Sequence, residues 1–429
     1  MGLLLALLLA AVPSAAAADT APAITRRVLD NGLRVLVREA PAAGVVAISF
    51  QVRGGSGDET AETAGLTHFL HRAMLRGTAR HTAVGLMEAA EALGGALDTS
   101  ADADVAEIRA TALARHWEAA LGLVAEVALT PRLADDEIER ERRLLLGQIQ
   151  SRLDNPFPFA LDTLLADLYG GHPYGLPSLG RPQSIERATR EALLARYRAL
   201  YRADRAVLAV SGRVPPGAVV RAAERLFGRL PAGSAPDPPP PEPPAPPGRR
   251  RVVERPAHQA QVLMGWIGPA LEEADYAAVK VLAAVLGGGM SGRLFVQVRD
   301  VQGLAYSLGM FHATRRGPGP MVAYLGTAGE SADAAEAALA REIERLRVEG
   351  ATESEVARAR AWVLGALAMD RRTNARHAWY LAFYELVGAG WDFPDRHARA
   401  VAAVTAADVT AAARRRLGPP TTAVLRPRG

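Results

Sequence analysis

The residues most able to do chemistry in this chain fall in two short stretches. The first is GLTHFLHRAMLRGT, Gly65 to Thr78, where His68 and Arg72 stand four residues apart with His71 between them. Positions i and i+4 of a helix share a flank, so two imidazoles at that spacing can face one metal ion. His68 suits such a role and Arg72 does not. A guanidinium has no free lone pair, stays protonated and sets a positive charge beside any dication. A different metal held by His68 and His71, with Glu141 or another carboxylate, is an alternative, set against the commoner reading of hydrogen-bonded cleft histidines. The second stretch is GGGMSGRLFVQVRDVQGLAYSLG, with Arg299 and Tyr306 seven residues apart. By composition alone Arg299 is a helix-end cation favoured by the macrodipole, and Tyr306 is an ordinary aromatic opening a strand.

Both stretches need helices to position them. Leu66, Phe69, Leu70, Ala73 and Met74 form a core-facing stripe of helical period, which leaves His68, His71 and Arg72 on one flank, and Gly77 supplies a stop. Leu294, Phe295 and Val298 make the stripe of the second helix, and Gly303 ends it. Around them LRVLVRE and VVAISFQVRGG in the first half, and QVLMGWIG, LAYSLGMFH and PMVAYLGTAG in the second, read as strands. Long helices such as DDEIERERRLLLGQIQSRL and ESEVARARAWVLGALAMDRR follow in each half. The repeated order predicts two similar α+β domains, residues 24–230 and 252–429. Between them PAGSAPDPPPPEPPAPPGRRR, residues 231–251, is too rich in proline for helix or interior strand and reads as a semi-rigid spacer.

A chain of 429 residues, 49% hydrophobic and 22% charged, is long enough for two or three domains with real cores. Residues 1–18 form an apolar run ending in an Ala-x-Ala site, and predict a secretory signal peptide although no Lys or Arg precedes Arg26. The run falls short of the roughly 20 residues that a membrane span demands. The mature chain is therefore expected in the periplasm or outside the cell, without stable membrane insertion. The absence of cysteine excludes a disulfide framework and a lipid-modified cysteine. The net charge of +4 comes from arginine, Lys280 being the sole lysine, and no basic run is interleaved with aromatics, so a nucleic-acid partner is not expected.

Taken together, LDNGLRVLVRE, RGGSGDE, AGLTHFL, MLRGT, DNPFPFALDTLLADLYGGHPYGLPSLG and YRADRAVLAVSGRV resemble the pitrilysin/insulinase family of zinc peptidases over nearly the whole mature chain. That family carries His-x-x-Glu-His, an inverted zinc motif with the Glu as general base, and a Glu ligand on a later helix. By this resemblance His68 matches the first ligand, His71 replaces the general base, Arg72 replaces the second His, and Gln148 in ERRLLLGQI replaces the third ligand. No zinc and no activity are then expected of this chain alone. The resemblance also matches Arg299 and Tyr306 to a pair that reaches across a closed chamber to substrate, where forked donors hold carbonyls and a phenol steadies an oxyanion. It implies the zinc-free subunit of a bacterial two-subunit peptidase, half of a clam-shell chamber, whose homologous partner carries zinc and an intact motif, with peptide as substrate. The rival expectation is a structural or peptide-binding protein, like the non-catalytic relatives in mitochondrial respiratory complexes. LGGALDTSADADVAEIRATAL is similar to the family's substrate-aligning edge strand, with Asp98 and Glu107 replacing an Asn and a Tyr.

Overall fold

The computed structural model describes residues 23–233, 242–244 and 248–428. The expected signal peptide and much of the proline-rich stretch lie outside the described residues. Two sheets organise the chain. The first contains β1 (Ile24–Val28), β2 (Arg34–Glu39), β3 (Val45–Arg53), β4 (Ala96–Ala101), β5 (Val105–Leu113) and β6 (Ala206–Gly212), in the order β1-β2-β6-β3-β5-β4. The second contains β7 (Arg250–Arg255), β8 (Ala260–Ile267), β9 (Ser307–His312), β10 (Pro320–Thr327) and β11 (Thr421–Pro427), in the order β7-β11-β8-β10-β9. Only β2 with β6 and β7 with β11 pair in parallel; the other neighbours are antiparallel. The class is the expected one, α+β with two similar domains. β7 takes up Arg250 and Arg251, the last residues of the proline-rich stretch.

A central strand such as β6, AVLAVSG, is apolar on both faces and buried throughout, so each side of its sheet must be covered. One side lies under the helices of its own half, where Ile48, Phe50 and Val52 meet Phe69, Leu70 and Met74 of the helix Leu66–Met74 in one core. The other side is covered from the opposite half: Leu36, Ala47, Val207 and Ala209 pack against the helix Asn374–Leu386 through Ala378 and Leu381. The debt is returned by the helix Pro156–Tyr169, whose Ala160 and Leu164 lie on Leu263, Val322 and Leu425 of the second sheet. A Cβ at Gly265 would stand 3.1 Å from Leu164, so glycine admits this helix onto β8. The halves thus exchange a helix each.

A polar joint adds to the exchange. Arg315 donates to Asp102 at 2.7 Å, the Arg316 N–H to Asp104 at 2.9 Å, and the Tyr174 hydroxyl to Asp104 at 2.6 Å. Among the described residues no helix is long and apolar enough to cross a membrane.

Candidate functional site

The helix Leu66–Met74 begins at Gly65, whose φ of 87° and approach to Gly180, 2.4 Å from a notional Cβ, leave room only for glycine. Glu59 accepts hydrogen bonds from the N–H groups of Gly65 and Thr67 at 2.7 Å each, placing a carboxylate at the positive end of the helix. The expected stripe is buried, and the buried face is wider than the sequence suggests, because it includes Thr67 and His71. The reading of His71 as a flank residue beside His68 is thereby corrected. Its Nδ1 donates to the Thr67 carbonyl at 2.9 Å, and its Nε2 accepts from the Tyr201 hydroxyl at 2.9 Å. The Tyr201 ring stacks on it at 5.8 Å. Burial lowers the imidazole to about 4, so it is neutral at ordinary pH. With both nitrogens engaged, His71 has none to offer a metal.

Arg72 is committed to an ion pair. Its Nε contacts one oxygen of Glu141 in the helix Asp135–Asp154, and Arg76 contacts the other. Glu141 is 1% exposed, and a carboxylate so buried would cost several kcal/mol without a cation. The guanidinium therefore supplies the charge that Glu141 requires. His68 is lowered to about 4, first by burial and then by the charge of Arg72 beside it, with Glu141 opposing. Its buried Nε2 finds no hydrogen-bond partner among the described residues. Gln148 lies two turns beyond Glu141 on the same helix and is exposed. A protonated fork bound to the nearest carboxylate, one histidine and an amide do not fit a zinc ion. Among the described residues no group of three or more His, Cys, Asp or Glu is arranged to hold a metal.

Arg299 and Tyr306 present the opposite picture. Arg299 sits in Phe295–Val301, where the expected helix is wound as a π-helix, a rare form that recurs at functional sites. Val298 is buried, whereas Arg299 is exposed and lies over the Phe295 ring at 4.8 Å. Gly303, with φ of 65°, ends the turn by donating to the Arg299 carbonyl at 3.0 Å. Tyr306 enters β9 with its N–H on the Gly326 carbonyl at 2.9 Å, and the residue is 62% exposed. Among the described residues, no hydrogen bond or ion pair engages the Arg299 guanidinium or the Tyr306 hydroxyl.

Of the stretch expected as an edge strand, β4 lies at the edge of the sheet and β5 does not. Asp98 on it pairs with Arg109 of β5. Glu107, also on β5, is buried, accepts from Ser49 and is pushed up by that burial. Sequence reasoning missed three residues here. Tyr201 and Arg76 carried no local signal, since their partners lie far along the chain. Arg293, bound to Glu355 at 2.6 Å, could have been suspected from the Thr352-x-x-Glu355 capping box that holds its partner.

Comparison with known proteins bears on the fold and the family. Residues 34–181 match the family described as Insulinase (Peptidase family M16), and residues 187–362 match the Peptidase M16 inactive domain. An uncharacterized zinc protease of Mycobacterium tuberculosis is 32% identical over 427 residues, covering 97% of each chain. Among solved structures, a peptidase M16 inactive domain from Pseudomonas fluorescens has a TM-score of 0.88 at 23% identity, covering 95% of this chain and 98% of that one. A protease from Helicobacter pylori has a TM-score of 0.89 at 21% identity, covering 95% and 100%. Two α+β domains that exchange a helix, together with these matches over both halves, define a peptidase-like protein. The chain belongs to the insulinase family, peptidase family M16.

Proposed function

We propose that this chain is the zinc-free subunit of a two-subunit metallopeptidase and lends Arg299 and Tyr306 to the site of a homologous partner with an intact His-x-x-Glu-His motif. The observation that supports this reading is the contrast between the two stretches. Arg72 is spent on Glu141 in a blocked ligand position, whereas Arg299 and Tyr306 stand exposed. An exposed helix-end cation is ordinary, whereas a tyrosine kept only as a strand aromatic would bury more of its ring than Tyr306 does. In the proposed assembly the two domains form half of a clam-shell chamber. The forked donors of Arg299 hold substrate carbonyls, and the Tyr306 hydroxyl donates to the oxygen that gains negative charge. The substrate is peptide, the compartment is the periplasm or the exterior, and the chain alone is inactive. The naming of its relatives as zinc proteases supports a peptidase setting. A purely structural or peptide-binding role is the second reading, favoured by the blocked helix. A divergent metal site on His68 and His71 loses its support, because His71 has no free nitrogen.

The test is steady-state peptide cleavage by the complex reconstituted with the homologous partner. Arg299→Ala and Tyr306→Phe are each expected to lower turnover at least about tenfold, since one oxyanion donor is worth on the order of a hundred- to a thousandfold elsewhere. Assembly and zinc content should not change. Lysine at residue 299 should rescue poorly, having lost the fork. Full turnover from both variants would leave a structural subunit.

A further inference from the structure

The segment that carries Arg299 is rich in glycine. Between the helix Tyr276–Gly287 and the π-helix lie Gly288, Gly289 and Gly292, with Met290 and Ser291 exposed. Glycine loses more conformational freedom on ordering than any other residue. The side chain of Arg293 ties this stretch to the helix Glu353–Asp370. Arg293, 12% exposed, lays its fork on Glu355, with Nε 2.6 Å from one oxygen and Nη2 2.8 Å from the other, and Nη2 also donates to the Gly350 carbonyl at 2.7 Å. Glu355 is itself fixed, accepting from the Thr352 N–H at 2.8 Å and the Thr352 hydroxyl at 2.9 Å at the start of the helix Glu353–Asp370. Burial pushes its carboxyl up, and hydrogen bonds from Arg293 and Thr352 outweigh that and hold it at about 2.

We propose that Arg293 is the positioning residue of the Arg299–Tyr306 pair, tying the glycine-rich segment and the π-helix to the helix Glu353–Asp370. The proposal rests on the function given to that pair above. Leu294 and Val298 hold the inner side of the π-helix by apolar contact, which is non-directional and tolerates sliding. A bidentate fork does not slide, because both donors must keep their oxygens. Among the described residues the Arg299 guanidinium meets the Phe295 ring and no hydrogen-bond or ion-pair partner, so its place follows the backbone that Arg293 anchors. A displacement of about 1 Å at a catalytic group costs on the order of a hundredfold in rate.

The experiment combines turnover of the reconstituted complex with hydrogen exchange of residues 287–306, for Arg293→Ala, Arg293→Lys and Glu355→Gln. Glutamine keeps the capping box while losing the fork's charged acceptor, so it separates the anchor from the helix start. Arg293→Ala and Glu355→Gln are expected to lower kcat at least about tenfold with KM little changed, and to speed exchange in this segment at least about tenfold with the rest of the chain unaffected. Arg293→Lys should fall between. On an Arg299→Ala, Tyr306→Phe background, Arg293→Ala should cost no further turnover, which a general loss of stability would not reproduce. Unchanged exchange, or exchange that rises without loss of turnover, overturns the proposal. So does turnover lost while exchange stays at the wild-type rate. Should Arg299→Ala leave turnover intact, the function proposed for the pair fails separately, and exchange with the phenylglyoxal reactivity of Arg299 decides whether Arg293 fixes its position.

Discussion

A carboxylate as deeply placed as Glu141 has to be neutralised, and two guanidiniums do it here, from Arg72 and Arg76. Arg72→Met should leave Glu141 with one partner and destabilise the chain by about 1–3 kcal/mol. The double substitution Arg72→Met with Glu141→Leu should cost less than Arg72→Met alone, because an apolar replacement of both partners removes the stranded charge. Denaturant unfolding of the set checks this, and an Arg72→Met variant as stable as wild type would refute it. Arg72→His with Gln148→Glu adds two ligands beside His68, whose Nε2 lacks a partner among the described residues. Zinc should then raise the melting temperature of this variant and leave wild type unmoved. Adding His71→Glu should lower the zinc-free melt, since a carboxylate would replace a neutral core imidazole that satisfies Thr67 and Tyr201. A folded double variant that ignores zinc would mean that Gln148 does not occupy the third ligand position.

At the scale of elements, the exchange of the helices Pro156–Tyr169 and Asn374–Leu386 makes each half a condition of the other's fold. Residues 23–233 or 248–428 produced alone should expose an apolar sheet face and fail to unfold cooperatively, whereas co-production should restore a single transition by circular dichroism. Independent cooperative folding of either half would contradict this. Leu164→Ala, at the contact with Gly265, should cost about 2–4 kcal/mol by calorimetry. Much of this level was legible beforehand: the strands alternate and the helices carry their own period, whereas Arg299 and Tyr306 stand out from an ordinary helix-end cation and strand aromatic only through the family resemblance. Which sheet a helix covers was not, since an apolar stripe such as Ala160 and Leu164 is satisfied by any apolar face. His71 was misplaced for the same reason. Its hydrogen-bond partner Tyr201 lies 130 residues away, and no local pattern announces it. The pairing of Arg72 with Glu141, 69 residues apart, was equally silent.

For the whole molecule, the joint between the halves is the turn after β9, and Lys280 lies at its root. The ammonium donates to the His312 carbonyl at 2.7 Å and to the Thr314 hydroxyl at 3.0 Å, with the Tyr276 ring 5.0 Å below. From there the chain runs directly into Arg315 and Arg316, which meet Asp102 and Asp104 of the other half. Among the described residues no carboxylate pairs with Lys280, and burial lowers it to about 7. The nearby His312 is held well below its ordinary value and His397 at about 4, each chiefly by burial, so both are neutral where Lys280 titrates. The sign follows from linkage. Below pH 7 folded and unfolded chains both carry the proton, and the cost of the buried charge is fully felt. Between pH 7 and the unfolded value of about 10.4, the unfolded chain binds a proton that the folded one lacks, so stability rises with pH. The slope from this group is at most about 1.4 kcal/mol per pH unit. Lys280→Met should shift stability by a constant through its lost hydrogen bonds and abolish this slope. Urea unfolding of both proteins at several pH values from 6 to 9 measures the difference. It should move in favour of wild type as pH rises, and a difference that stays flat would show that the joint carries no titrating lysine.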